Sequence, residues 1–143
     1  MNQPFRTTRM VEFHDTDMAG IMHFASFFCY MESAEHELLR SLGLSVNSMF
    51  EGAPVSFPRV AASCEYRSPA HCEEILDVEV GVQRLGTRSV TYSFRFTHGD
   101  RVVAEGAMTS VCCFMRPGHR PQSMPIPADV VEKLAAFVVS GDA

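Results

Sequence analysis

The sequence predicts an α+β fold made of a long helix, a run of antiparallel strands and a short C-terminal helix. Two patterns carry this prediction. Apolar residues recur at i, i+3, i+4 and i+7 over residues 24–42, which is typical of an amphipathic helix. Over residues 76–96 they alternate with polar residues, as in half-buried strands. One helix placed before a run of such strands favours the α+β class.

The first two elements are a strand and the long helix. Residues 5–13 alternate loosely and predict the strand. The helix stripe is apolar apart from one carboxylate, and its members are Phe24, Phe27, Phe28, Met31, Ala34, Glu35, Leu38 and Leu42. Gly43 follows in a position suited to a left-handed C-terminal cap, so the helix is expected to end there.

The later elements are strands and a short terminal helix. Strands are predicted over residues 60–66, 76–82, 90–96 and 102–114, and the apolar residues 55–57 lead into the first of them. Gly106, inside the last of these, indicates a close backbone approach or a bulge. Pro127 is suited to the first position of the terminal helix. A single sheet of this kind leaves edges uncovered, so pairing with a second copy is expected.

Length and charge limit the classes of function. With 143 residues, the chain is expected to form one domain, 1–143, with a substantial core. The formal net charge of −5 argues against general nucleic-acid binding. The sequence has no apolar run of transmembrane length and no signal-peptide core, so no membrane span is expected and a cytoplasmic location is predicted.

Five cysteines make an odd count without a C-x-x-C pair: Cys29, Cys64, Cys72, Cys112 and Cys113. A disulfide framework and a metal cage therefore both lack support. We expect reduced, mostly buried thiols and no cofactor.

The stretch over residues 11–24 is the predicted active site. It places Asp15, Asp17 and Gly20 between a strand and a helix, so Asp17 is expected just ahead of the helix N-terminus. That end of a helix carries partial positive charge and unpaired N–H groups. A carboxylate beside free N–H donors suits the cleavage of an acyl compound. The alternative is that Asp17 only caps the turn or the helix.

Two histidines near these carboxylates raise a second possibility, a metal site. His14, His23 and an aspartate would supply a two-histidine-plus-carboxylate set. Neighbouring strand residues point to opposite faces, so His14 and Asp15 are not expected to share a metal ion.

Four motifs resemble the 4-hydroxybenzoyl-CoA thioesterase family of hotdog-fold proteins. They are F-x-D-T-D-x-A-G-I at 13–21, M-E-x-A at 31–34, E-Y-x-x-P at 65–69 and I-P at 126–127. The resemblance spans nearly the whole chain, and its first block is the most specific. It implies a twisted antiparallel sheet wrapped around a long central helix, and an acyl-CoA substrate hydrolysed to free acid and CoA. It also implies a homodimer or homotetramer.

The resemblance assigns roles to particular residues. Asp17 matches the catalytic carboxylate, as nucleophile or general base, and Asp15 matches a supporting residue. The backbone N–H of Phe24 would polarise the thioester carbonyl. The expected substrate-binding residues are Met22, His23, Phe27, Phe28 and Phe57.

Other assignments stay open. A hydratase or dehydratase of enoyl thioesters on the same fold would use His23, and a non-catalytic acyl-CoA binding protein would not need Asp17. Glu35 is expected at a partner subunit, at the site, or partly solvated. Candidates for contacts with CoA phosphates, each with a surface role as the alternative, are Arg59, Arg67, Arg84, Arg88, Arg95, Arg116 and Arg120.

Overall fold

The computed structural model describes residues 2–139. The two helices are α1 (Ser26–Ser41) and α2 (Ala128–Ala135), and a 3-10 turn spans Phe13–Asp15. The strands are β1 (Phe5–Met10), β2 (Ser48–Phe50), β3 (Ala53–Ser56), β4 (Arg59–Tyr66), β5 (Ile75–Leu85), β6 (Ser89–His98), β7 (Arg101–Val111), β8 (Cys113–Phe114) and β9 (Gln122–Ser123). The predicted α+β class is confirmed.

The main sheet has five antiparallel strands in the order β1-β5-β6-β7-β4. Strands β2, β3, β8 and β9 form a smaller sheet beside it. One row of paired residues crosses the main sheet completely: Phe5, Val80, Phe94, Gly106 and Cys64. Strand β4 therefore forms one edge of the main sheet, and β1 forms the other.

Helix α1 covers one face of the main sheet. Its buried apolar stripe, which includes Met31, Ala34 and Leu38, packs into the same core as the inward side chains of β5 and β6. Burying apolar surface is the main favourable contribution to folding, so this contact holds the helix on the sheet. Buried and exposed residues alternate along much of β5 and β6, because successive side chains point to opposite faces of the sheet and one face packs against the helix.

Gly106 lies where α1 packs closely against the sheet. A Cβ atom built there would lie 2.6 Å from the Met31 sulfur and 2.8 Å from the Ser63 carbonyl oxygen. The predicted close approach is thereby confirmed. Gly43 also adopts the left-handed conformation expected after the helix, with φ +75°.

Several predicted boundaries are wrong. The first strand ends at Met10, because the chain then turns through the 3-10 segment. Helix α1 begins at Ser26, so Phe24 lies outside it and its side chain is 62% exposed. Strands β2 and β9 were not predicted, because such short strands have too few residues to show alternation.

The expectation of mostly buried thiols is also wrong. Cys112 and Cys113 are buried, Cys64 is half-buried, and Cys29 and Cys72 are exposed. Cys29 lies on α1 outside the apolar stripe, and Cys72 lies in the turn before β5, so neither faces the core. Over residues 2–139, neither helix has the length and apolar character needed to cross a membrane.

Substitution of Gly106 by alanine is expected to destabilise the protein by about 1–3 kcal/mol, because the new methyl group would overlap Met31 and a neighbouring backbone. Urea unfolding measures the loss. Gly99→Asn is the control, since nothing lies within 4 Å of its Cβ position and asparagine adopts its φ of +59° with less strain than most side chains, so a smaller loss is expected. Equal losses in the two variants would contradict the close packing of α1.

Candidate active site

Residues 15–23 form a tight turn that doubles back on itself. Thr16 and Met22 form an antiparallel bridge across it. The Asp17 N–H donates to the Ile21 carbonyl at 3.1 Å, and the Gly20 N–H donates to the Asp17 carbonyl at 2.9 Å. Gly20 has φ +80°, which favours glycine at this position. The turn therefore presents Asp17 at an exposed tip.

The Asp17 carboxylate is held by its own turn. Its Oδ1 accepts the Ala19 N–H at 2.8 Å, while Oδ2 has no hydrogen-bond partner among the described residues. Ala25, and not Asp17, occupies the N-cap position of α1. The prediction that Asp17 lies just ahead of the helix N-terminus therefore needs correction, because the rest of the turn separates Asp17 from α1. Asp17 caps this turn and keeps one carboxylate oxygen free.

Phe24 supplies a free backbone donor beside this turn. The preceding His23 N–H donates to the Asp15 carbonyl at 2.7 Å, and the following Ala25 N–H donates to His23 Nδ1 at 3.1 Å. Between them, the Phe24 N–H has no acceptor within residues 2–139. A backbone N–H without an acceptor is a group that can stabilise a developing oxyanion.

Asp15 is buried behind the turn, with 7% of its surface exposed. Its Oδ2 accepts the Glu12 N–H at 2.9 Å and the hydroxyl of Tyr30. Burial raises the pKa of Tyr30, and the hydrogen bond to Asp15 raises it further. The phenol is therefore a stable neutral donor. Asp15 is placed to support the turn and does not present its carboxylate at the tip.

The geometric argument against a metal ion shared by His14 and Asp15 is wrong. Residues Phe13–Asp15 form a 3-10 turn and not a strand, so the His14 Nε2 atom lies 3.5 Å from Asp15 Oδ1. In the part of the chain that the structure describes, no cluster of three or more His, Cys, Asp or Glu side chains is placed to hold a metal ion.

The predicted binding residues separate into two groups. His23 stacks on Phe24 with ring centroids 4.5 Å apart, and the buried Met22 donates its N–H to Ala70. Phe27 is buried between the rings of Tyr66 and Phe96, and Phe28 is half-buried against the core. Phe57 is not brought to this turn. It lies beside the C-terminal half of α1, where it lines a cavity.

This cavity, of about 600 Å³, lies between α1, the β2–β3 hairpin and α2. Its walls combine apolar side chains, such as Phe50, Phe57 and Leu134, with polar ones, and Glu35 and Arg59 bring a charged pair to it. Glu35 is 3% exposed and bonds to an Arg59 terminal nitrogen, while Arg59 Nη1 donates to Ser110 Oγ at 2.9 Å. Burial alone would lower the pKa of Arg59, but the hydrogen bond and the charge of Glu35 outweigh it and raise that pKa.

Two features of the site were missed by sequence reasoning. The sequence left three environments possible for Glu35, and the structure shows that it is buried and paired with Arg59. Arg59 therefore forms an ion pair within its own chain. The Tyr66 hydroxyl donates to the Phe24 carbonyl at 2.9 Å. Burial and a contact with Cys64 raise the pKa of Tyr66 to about 12. For Glu35, the available signal was a carboxylate on the apolar stripe of the helix, which indicates a buried cationic partner. The sequence did not identify Arg59 as that partner.

Comparison with known proteins gives a consistent result. Residues 11–134 match the family model of the Thioesterase-like superfamily. The 1,4-dihydroxy-2-naphthoyl-CoA hydrolase of Thermosynechococcus vestitus is 34% identical over 121 residues, which cover 83% of this chain and 80% of that protein.

Solved structures show the same architecture. A 1,4-dihydroxy-2-naphthoyl-CoA thioesterase from Synechocystis superposes with a TM-score of 0.82 at 22% identity, covering 92% of this chain and 95% of the other. A gentisyl-coenzyme A thioesterase superposes with a TM-score of 0.77 at 25% identity, covering 88% and 98%.

Neutralising Glu35 is expected to destabilise the fold. Glu35→Gln leaves the Arg59 guanidinium half-buried without its main charge partner, and we expect a loss on the order of 1–3 kcal/mol. Glu32→Gln is the matched control, because Glu32 lies 3.6 Å from the same guanidinium but its side chain is 57% exposed. Its loss should stay under about 1 kcal/mol. Urea unfolding at pH 7 measures both, and equal losses would contradict the buried pair.

Proposed function

Because the chain belongs to the thioesterase-like superfamily, we propose that it hydrolyses an aryl- or acyl-CoA to the free acid and CoA with Asp17 as the catalytic carboxylate. The prediction of a thioester hydrolase is confirmed by this membership, and relatives named as CoA hydrolases support a CoA thioester as the substrate. Membership of the 4-hydroxybenzoyl-CoA family and a cytoplasmic location stay predictions.

One observation carries the proposed role of Asp17. Asp17 keeps Oδ2 free at the exposed tip of the turn, and the Phe24 N–H, directly after that turn, has no acceptor among the described residues either. In the nucleophilic route, Oδ2 attacks the thioester carbon, the carbonyl oxygen gains charge beside the Phe24 N–H, and the C–S bond breaks to release the CoA thiolate. Water then cleaves the acyl-aspartyl anhydride. In the general-base route, Asp17 takes a proton from water, and that water attacks directly.

The Phe24 donor stabilises the transition state in either route. A single oxyanion donor of this kind is worth about 2.7–4 kcal/mol in comparable sites. Each route consumes one water and yields one acid and one CoA thiol. Two of the similar proteins described above are named for aromatic acyl groups, 1,4-dihydroxy-2-naphthoyl and gentisyl, which favours an aromatic acyl group for this chain.

The proposed assembly is a homodimer or homotetramer in which β4 pairs with β4 of a second copy. Strand β4 is a long sheet edge that pairs, among residues 2–139, with β7 alone, and Val60 on it is 62% exposed. An exposed, extended edge of this kind is a template for another strand. The opposite edge, β1, is shorter and carries Arg6 and Arg9.

This pairing would explain why the turn and the cavity lie apart within one chain. Ser26, at the start of α1, and Glu35 are separated by roughly 14 Å along the helix. Antiparallel pairing about the middle of β4 places Arg59 at one end of that strand opposite Tyr66 of the second copy. Since Tyr66 bonds to Phe24, the cavity of each copy would open beside the turn of the other. We propose that this cavity receives the acyl group, with Phe57 in the cavity wall.

Asp17→Asn is expected to lower kcat by orders of magnitude with little change in KM, because only the transition state needs the charge. The fold should survive, since asparagine keeps an acceptor for the Ala19 N–H. Asp77→Asn, an exposed carboxylate on β5, is the control. A panel of acyl-CoA thioesters with a thiol-detecting dye measures turnover.

The same panel tests the alternatives. A folded Asp17→Asn protein with wild-type kcat would remove Asp17 from the chemistry. Hydration of enoyl thioesters without thiol release would indicate the hydratase. Saturable binding without turnover would indicate an acyl-CoA binding protein.

The assembly is tested by sedimentation at micromolar concentration, where a dimer or tetramer is expected. Val60→Asp should shift the protein toward monomer and reduce turnover, because it places a charge in the proposed β4 contact. Thr8→Asp, exposed on the other sheet edge, should change neither property. A wild-type protein that sediments as a monomer would contradict the assembly.

A further inference from the structure

We propose that Tyr30 is a positioning residue that, through Asp15, holds the Asp17 turn against the start of α1. This inference rests on the proposed function of Asp17. Tyr30 lies in the first part of α1 and does not reach the exposed tip where the reaction is proposed. Its hydroxyl instead bonds to the carboxylate behind that tip.

The Tyr30 hydroxyl joins three segments. It bonds to Asp15 Oδ2 in the 3-10 turn and lies 2.9 Å from the Met10 carbonyl at the end of β1. Tyr30 itself belongs to α1. Both Tyr30 and Asp15 are buried, so water is a poor substitute for this contact. A hydrogen bond to a carboxylate is also stronger than one between neutral groups.

Asp15 passes this restraint to both parts of the proposed machinery. Its carbonyl oxygen accepts the His23 N–H at 2.7 Å and the Ser26 hydroxyl at 3.2 Å. These two contacts bracket Phe24, whose free N–H is the proposed oxyanion donor. Asp17 follows Asp15 after one residue. Movement of Asp15 would therefore displace the donor and the carboxylate relative to each other.

Few other groups can replace the Tyr30 hydroxyl. Two neighbours come from the segment of Asp15 itself: the Glu12 N–H at 2.9 Å and the His14 ring at 3.5 Å. The His14 side chain is 82% exposed, so it is a weak restraint. From α1, Tyr30 is the hydrogen-bond donor to the Asp15 carboxylate. Removing its hydroxyl thus breaks the side-chain link between the helix and that carboxylate.

Tyr30→Phe tests this role. It keeps the buried ring and removes the hydroxyl, so the chain should fold. We expect kcat for thioester hydrolysis to fall about 10- to 100-fold, since small misplacements of reacting groups have effects of that size. KM should change less than about 2-fold, because ground-state binding does not use this contact. Exchange of the His23 amide hydrogen should become faster, because its acceptor is less restrained.

Thr91→Val is the matched control. It removes a side-chain hydrogen bond of 2.8 Å to Thr109, between β6 and β7, with little change in volume. A merely structural role for Tyr30 would make the two variants alike, with lower melting temperatures and unchanged kcat. That result, or a rise in KM alone, would overturn the inference. Should Tyr30→Phe not fold, Asp15→Asn must show the same fall in kcat.

Asp17→Asn, assayed alongside, separates this inference from the proposed function. If Asp17→Asn is inactive and Tyr30→Phe has wild-type kcat, the role of Tyr30 fails while that of Asp17 stands. If Asp17→Asn is fully active, the proposed role of Asp17 fails and the positioning of its turn as catalytic machinery falls with it.

Discussion

The structure depends on the burial of one face of α1 on the main sheet. Met31 packs against the sheet at Gly106, where β7 has no side chain and an added Cβ atom would overlap the Met31 sulfur. This contact fixes the height of the helix over the sheet. Polar groups on α1 then have few possible partners, because the apolar contacts have already set the helix position.

Helix α1 makes two polar contacts that involve buried carboxylates, at different positions along its length. Near its start, Tyr30 bonds to Asp15, and further along Glu35 pairs with Arg59. Each involves a carboxylate that is largely removed from water, and each is satisfied by a specific donor. Buried carboxylates need such partners, so both contacts also restrict how the surrounding segments are arranged. The first restricts the turn of Asp17, and the second restricts the cavity.

The separation of the turn and the cavity along α1 gives a physical reason for the proposed assembly. The turn and the cavity lie toward opposite ends of the helix, so a rigid monomer holds them apart. The unpaired edge of β4 is the one long, exposed backbone surface of the main sheet that runs between these two regions in the described residues. A second copy paired there would bring the two parts together without any change in the fold.

The sequence by itself determined the elements with strong periodicity and the identity of the turn residues. The stripe of α1, the alternation of β5 and β6, the close approach at Gly106 and the cap at Gly43 all depend on local spacing. Tertiary structure decided the rest. That Asp15 points inward to Tyr30 while Asp17 faces outward follows from a 3-10 turn with no periodic signal. That Glu35 meets Arg59 follows from packing between segments distant in the chain, which local patterns do not encode.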